Sequence, residues 1–449
     1  MDAVLLARIQ FALTVGFHFL FPPVTIGLAW IIVIIEYRYL RSGEEIYKSM
    51  SKFWIKVLGL IFAVGVATGI TMEFQFGTNW SEYSRFVGDI FGAPLAAEGI
   101  FAFFLESSFL GILLLGRERV SRRAYWLSTL LVAFGSTLSG LWILIANSWQ
   151  QTPAGYQVVE GRAVLTDFWA AAFNPSTLPR FTHTITASLI TGAFFVAAIS
   201  AWYLLQGRHV EFARRSLTIA IVFAAVFSIT ELGLGHLHSV QVWETQPVKM
   251  AAFEGLFKTG KGVGLALFGF PDAEQGTTHL KVAVPYLLSL LLGFDPNTEV
   301  LGLSEFPRDE WPPLMATFQS YHIMIALGVY FILVSWVGLY LLYRKRLFES
   351  KRYLRLLLYS LPLPWVACEF GWLAAEIGRQ PWVVYGELKT VDAASVVVPA
   401  GQVLFTLIMF VLIYALLLAL IVYLVTREIK HGPDSVAEAA ATTAQEVAT

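Results

Sequence analysis

RIQFALTVGFHFLFPPVTIGLAWIIVIIEYRYL, residues 8–40, decides the fold class. About 20 predominantly apolar residues suffice to cross a bilayer, and this run supplies them with His18, Pro22 and Pro23 inside it. Read from Met1, MDAVLLA and this run lack a basic start, so they read as a short interfacial stretch leading into a first crossing, not as a cleaved signal peptide. The rest of the 449-residue chain follows the same pattern: 57% of residues are hydrophobic and 14% charged, too little charge to solvate a water-exposed surface. Apolar runs predict crossings at about 14–36, 53–74, 95–116, 125–148, 183–205, 217–238, 315–342, 355–373 and 397–426, the eighth bent by Pro362 and Pro364. The expected class is all-α, a polytopic membrane protein with about nine transmembrane helices.

With a net charge of -1, the placement of charge says more than its sum. One set of loops and helix ends, from Arg38 and Arg41 through Arg117–Arg123, Arg208–Arg215 and Arg344–Arg355 to Arg427 and Lys430, collects 20 of the 31 Lys and Arg. These loops are short, so that side is expected to be cytoplasmic, with the N-terminus outside. The expected division is 1–238 for the first six helices, 239–314 for a long external loop, 315–426 for helices seven to nine, and 427–449 for a cytoplasmic tail whose polar end, HGPDSVAEAAATTAQEVAT, reads as disordered. A loop as long as 239–314 suggests binding, and its VPYLLSLLLGF piece, residues 284–294, is expected to form an interfacial helix. The single cysteine, Cys368, excludes a disulfide framework, a thiolate metal cluster and haem attachment through paired cysteines, which leaves His, Met and carboxylates for any metal. No nucleic-acid partner is expected.

His18, Glu106, His183 and Met324 sit in apolar segments. Hydrocarbon tolerates the ionisable His and Glu only beside a partner, a cavity or a metal, and their combination with Met324 points to membrane redox chemistry. His183 opens helix five and Met324 lies about two turns into helix seven, both near the outer side. A His/Met pair keeps a haem iron six-coordinate and low-spin, and the thioether raises its potential; an interhelical hydrogen bond and ordinary methionine packing fit the same pattern. His18 reads as a structural group, a proton carrier or a ligand. Glu98 and Glu106 are eight residues apart, about two turns or roughly 12 Å along one helix face. They suit a polar proton track that Ser107, Ser139 and Asn147 would extend, and interhelical bonding is the plainer reading. In EFGWLAAEIGRQPWVVYGE, residues 369–387, Glu369, Trp372 and Glu376 recur at helical spacing before Gly378 and Pro381 end the helix. Glu376 can be an anionic axial ligand and Arg379 a bidentate partner for a carboxylate or a haem propionate; an interfacial cap with a salt bridge looks the same. In QPVKMAAFEGLFKTGKG, residues 246–262, Lys249 and Glu254 are five apart and off one ideal face, as exposed loop charge or as groups gathered by a turn or a ligand.

Taken in order along nine helices, GITMEFQFGTNW (69–80), PLAAEGIFAFFLESSFLG (94–111), RFTHT (180–184), KMAAFEG (249–255) and GRQPW (378–382) resemble subunit I of the cytochrome bd quinol oxidase family over nearly the whole chain. The resemblance implies a bacterial inner-membrane enzyme that oxidises ubiquinol or menaquinol and reduces oxygen to water without pumping protons. It implies a low-spin haem b on His183 and Met324, and a high-spin haem b paired with haem d, both contacted by His18, Glu376 and the neighbouring Glu98. Which of His18 and Glu376 holds haem d is left open, and in some relatives haem b takes its place. The resemblance further implies that Glu106 with Ser107 and Ser139 brings protons from the cytoplasm, that Lys249 and Glu254 bind quinol with Glu254 accepting a proton released outside, and that Trp372, Arg379, Asn147, Glu73 and Arg8 support the haem sites. Implied partners are a second hydrophobic subunit, subunit II, and a small single-helix subunit. Two departures stand out: the loop is of the short type, and His322 stands where some relatives carry arginine near the low-spin haem. A proton or solute transporter, colourless when purified, and a haem-bearing scaffold without oxygen uptake are the competing classes.

Overall fold

A computed structural model describes residues 2–434. Residues 435–449, where most of the expected tail falls, lie outside the described residues. Nine helical spans among the described residues are long and apolar enough to cross a membrane, as the hydropathy pattern predicts. They run further at both ends than the apolar runs do, because the helices continue into polar flanks where caps, not hydrophobicity, end them.

The first span is two helices, α1 (Ala3–Phe19) and α2 (Pro22–Ser42), interrupted at Leu20 and Phe21. Pro22 and Pro23 have no N–H to continue α1 and instead occupy the first positions of α2. His18 is therefore in the last turn of α1, not early in a continuous helix. Then come α3 (Glu45–Thr78), α4 (Ser81–Ala97), a π-helical segment (Glu98–Phe103) and α5 (Phe104–Leu115). Pro94 inside α4 leaves the preceding turn one donor short, and the wider π turn follows directly. Glu98 and Glu106 thus flank an irregular segment instead of sharing one regular helix.

The chain continues through α6 (Arg122–Gln151), capped by the Ser121 hydroxyl, a small hairpin of β1 (Tyr156–Val159) and β2 (Arg162–Leu165), the short α7 (Phe168–Ala172), and the long pair α8 (Thr177–Gln206) and α9 (Val210–Thr245). His183 lies six residues inside α8, beyond its opening turn. The long loop begins with α10 (Pro247–Phe253). A hairpin absent from the sequence expectation follows, with β3 (Leu265–Asp272) antiparallel to β4 (Thr277–Val284), its register shifted between Ala266 and Phe270. The expected interfacial helix is the short α11 (Leu287–Gly293). The last spans are α12 (Leu314–Tyr343), then α13 (Lys351–Tyr359) and α14 (Leu363–Ile377) separated at Pro362, and α15 (Ala400–His431). Met324 lies ten residues into α12, nearer three turns than two. A third hairpin, β5 (Trp382–Val384) with β6 (Leu388–Lys389), connects α14 to α15.

The centre of the bundle is α8, buried along most of its length, while α15 is largely exposed. Gly27 of α2 and Gly192 of α8 set the central crossing: a Cβ on Gly27 would come within 2.4 Å of the Ser188 carbonyl oxygen. Backbones this close need small residues, as in membrane helix packing generally. The main apolar core, with Trp54, Phe194, Tyr203 and Phe212 among its members, fills the basic-ended half. Toward the other end the packing opens into a cavity.

Candidate functional site

The cavity has a volume of about 1160 Å³ and is lined by residues of α1, α3, α6, α8, α9, α10, α12 and α14. That exceeds the ~300–1,000 Å³ of most small-molecule pockets. His18, Asn147, His183, Lys249, Met324, Trp372, Glu376 and Arg379 all line it, although in sequence they lie on five separate helices and a loop. Glu98, Glu106 and Glu254 are not among its lining residues.

His18 Nδ1 is 3.0 Å from the Thr68 hydroxyl, and the bare face of Gly69 lies beside its Cε1. His183 Nδ1 is 2.9 Å from Glu231 Oε1, though out of line for a full hydrogen bond, and its ring lies 5.4 Å from that of His238. Met324 points its sulfur at Gly371, where a Cβ would come within 2.8 Å. Each of the three thus packs against a glycine: His18 against Gly69, His183 against Gly235 and Met324 against Gly371.

Glu376 is the node of a buried polar network. Its Oε1 accepts from Asn147 Nδ2 at 3.1 Å and Gln151 Nε2 at 3.3 Å; its Oε2 accepts from Arg379, and Arg180 stands 3.8 Å away. Arg180 also donates to Asn147 Oδ1. A buried carboxylate held by two guanidiniums and two amides is a neutralised, hydrogen-bonded anion. Arg180 Nε and Arg379 Nη1 remain buried without partners. Neither Arg180 nor Gln151 was singled out in the sequence; the only signal for Arg180 is its i−3 spacing from His183 on one helix face.

Nearer the basic-ended half of α6, the Ser139 hydroxyl donates to Glu98 Oε1 at 2.7 Å and the Ser136 hydroxyl donates to Glu106. Ser136 takes the place expected for Ser107, which turns back on the Phe104 carbonyl. Asn147 belongs to the Glu376 network instead of this track. Of the expected supporting positions, Arg8 donates to Gln380 Oε1 at 3.3 Å, close to Arg379.

In the long loop, Lys249 and Glu254 are both fully buried, unlike ordinary loop charge. They point apart. Lys249 Nζ donates to Gln151 Oε1 at 2.5 Å, toward Glu376. Burial, with the Arg180 and Arg379 guanidiniums nearby, holds its amine well below the usual lysine range. Glu254 Oε2 accepts from the Ala266 N–H of β3 at 2.8 Å, and its Oε1 is buried without a partner. Burial pushes its carboxyl up to about 7. Lys281 Nζ donates to the Glu254 carbonyl, and His322 fastens the same strand, with Nε2 3.0 Å from the Ala266 carbonyl and Nδ1 2.8 Å from that of Phe318.

These features fit large flat cofactors. The cavity is mostly apolar, and among the described residues no three His, Cys, Asp or Glu gather as a bare metal ion would require. A haem iron brings four ring nitrogens and needs only one side chain or an opposed pair, which His18, His183, Met324 and Glu376 can supply. The unpartnered guanidinium nitrogens suit propionates.

A multi-helix bundle around such a cavity defines a polytopic membrane protein with room for a large cofactor. The chain belongs to the cytochrome bd terminal oxidase subunit I family, which it matches over residues 6–433. It is therefore part of an oxidoreductase. It is 42% identical over 444 residues to the cytochrome bd ubiquinol oxidase subunit 1 of Bacillus subtilis (strain 168), covering 97% of this chain and 95% of that one. It is 38% identical to the cytochrome bd-II ubiquinol oxidase subunit 1 of Escherichia coli (strain K12), covering 97% and 98%. The fold is similar to that of the bd oxidase of Geobacillus thermodenitrificans, with a TM-score of 0.91, 32% identity, and coverage of 96% of this chain and 99% of that one.

Proposed function

We propose that the chain is the quinol-oxidising, oxygen-reducing subunit of a bacterial inner-membrane oxidase, with 239–314 as its external quinol-binding region between helices one to six and seven to nine. The observation that carries this reading is the convergence of His18, His183, Met324 and Glu376 on one cavity beside a loop that buries Lys249 and Glu254. His183 and Met324 would hold a low-spin haem b; His18 and Glu376, with Glu98 nearby, would hold a high-spin haem b and a haem d, or a haem b in the place of haem d. When bound, these groups supply the one-electron carriers and the oxygen-reducing iron that side chains lack.

The side chains do the rest. Glu254, whose Oε1 has no protein partner, takes a proton from a quinol hydroxyl, and Lys249 balances the charge that develops. Arg379 and Arg180 hold Glu376 as an anion and turn free N–H groups toward propionates, while Trp372 closes the apolar wall. Glu106 and Glu98, handed along by Ser136 and Ser139, bring protons from the cytoplasmic face. Release outside and uptake inside make the reaction electrogenic without a pump. The large exposed apolar face of α15, with Phe405 at 70% and Leu416 at 71% exposure, is suited to lipid or to a second hydrophobic subunit; subunit II and a small single-helix subunit complete the complex.

Met324→Leu in the purified complex tests the reading. The low-spin haem bands should be lost or shifted while the high-spin bands persist; an unchanged low-spin spectrum rejects the ligand assignment. Glu254→Ala should leave all pigments bound and cripple turnover at limiting quinol.

A further inference from the structure

The two halves of the site meet at one side chain that the proposed chemistry leaves unused. Gln151, the last residue of α6, is 1% exposed. Its Oε1 accepts from Lys249 Nζ at 2.5 Å, its Nε2 donates to Glu376 Oε1 at 3.3 Å, and its backbone carbonyl accepts from Gln246 Nε2 at 2.6 Å. The polarity of the amide matches its neighbours. A lysine nitrogen offers N–H in either charge state, and an ionised carboxylate can only accept, so the oxygen must face the loop and the NH₂ the carboxylate. Leucine or methionine of similar length would leave both neighbours short of a partner inside the protein, and glutamate would satisfy one and oppose the other.

We propose that Gln151 is the positioning residue that joins the quinol loop to the cavity carboxylate, its amide oxygen setting Lys249 and its amide nitrogen setting Glu376. This inference rests on the quinol and ligand roles given above to those two residues. It couples the placement of the lysine in the loop to the carboxylate, which Asn147 and Arg379 also hold, through one side chain anchored by its backbone to Gln246 at the start of the loop.

The variants Gln151→Leu, Gln151→Glu and Lys249→Met, each purified as the whole complex, separate the two ends. The readouts are KM and kcat for a short-tailed ubiquinol and the optical spectrum of each haem. Gln151→Leu should raise KM about tenfold, the size of one lost charge-assisted hydrogen bond, and shift the high-spin bands. Gln151→Glu keeps an acceptor for Lys249 and opposes Glu376, so KM should stay within about twofold of the parent while the high-spin bands still move; low-spin bands should be unchanged in both. If Lys249→Met raises KM and Gln151→Leu does not, or if Gln151→Glu loses KM as badly as Gln151→Leu, the bridge is wrong. Unaltered high-spin bands in both Gln151 variants overturn it as well. If Lys249→Met leaves KM unchanged, the quinol role of Lys249 fails; the bridge is then judged on the bands, which must move in both variants. Should Gln151→Leu fail to assemble, Gln151→Met replaces it with the same expectation.

Discussion

Glu376, partly buried against the cavity, and Glu106, buried, are both carboxyl groups beside α6, and their surroundings could hardly differ more. Glu376 has two guanidiniums, two amides and, through Gln151, a lysine gathered from α6, α8, α10 and the end of α14. Glu106 has one serine hydroxyl, from Ser136, and Glu98 likewise has only that of Ser139. The first arrangement holds an anion still, because three hydrogen bonds and a second guanidinium fix it and cancel its charge locally, while Oε2 keeps a lone pair free. The second leaves a carboxyl that can take and release a proton without abandoning a counter-charge. Burial alone therefore does not tell a fixed anion from a mobile proton site; the number and charge of the partners do.

The comparison breaks first at Arg379. Arg379→Leu takes from Glu376 the nearer of its two guanidiniums, and removing one partner of a buried pair costs up to about 3–5 kcal/mol. The purified complex should melt markedly lower and lose high-spin pigment; an unchanged melting temperature would mean that Glu376 is not held as described. Glu106→Gln retains the shape and removes the proton, so oxygen consumption should fall about a hundredfold, within the range for losing an acid–base group, with the pigments intact. Lost pigment instead would move Glu106 to the structural side of the comparison. A milder probe is pH. The proton-accepting form of Glu254 is its carboxylate, and with the group pushed up to about 7 that form is depleted as pH falls below this value. Quinol kcat/KM should therefore drop by about tenfold per unit on the acid side, and the limb should vanish in Glu254→Gln. Ser136→Ala is expected to be smallest, a loss of a few-fold in turnover at unchanged stability, since the hydroxyl relays and does not neutralise.

Much of this was legible beforehand. The nine spans follow from apolar runs, and the bend at Pro362 from proline's missing donor; the break before Pro22, inside a segment read as one helix, did not. The cavity set of His18, His183, Met324, Trp372, Glu376 and Arg379 was legible from polar side chains at unfavourable depth, helped by the family resemblance. The partners were not. Ser136, Gln151 and Arg180 become neighbours of Glu106, Lys249 and Glu376 only through how far each helix is rotated about its axis, which no local pattern encodes. The β3–β4 hairpin, LALFGFPD against TTHLKVAV, escaped because short apolar runs in so hydrophobic a chain do not stand out as strands, although the intervening Gly276 carries a turn's positive φ of 62°. Its role is local but consequential: Ala266 presents its N–H to Glu254 and its carbonyl to His322.

The wide turn at Glu98–Phe103 has a consequence in angles. Eight residues of regular α-helix sweep about 800°, which would leave Glu98 and Glu106 about 80° apart around the axis. Absorbing one residue in a π turn reduces the sweep to about 700°, within about 20° of two full revolutions. That brings both carboxyls round to the serines of α6. Deleting a single residue between the two carboxyls would leave seven residues of regular helix, which sweep the same roughly 700°, so Glu98 and Glu106 should keep a common face without the wide turn.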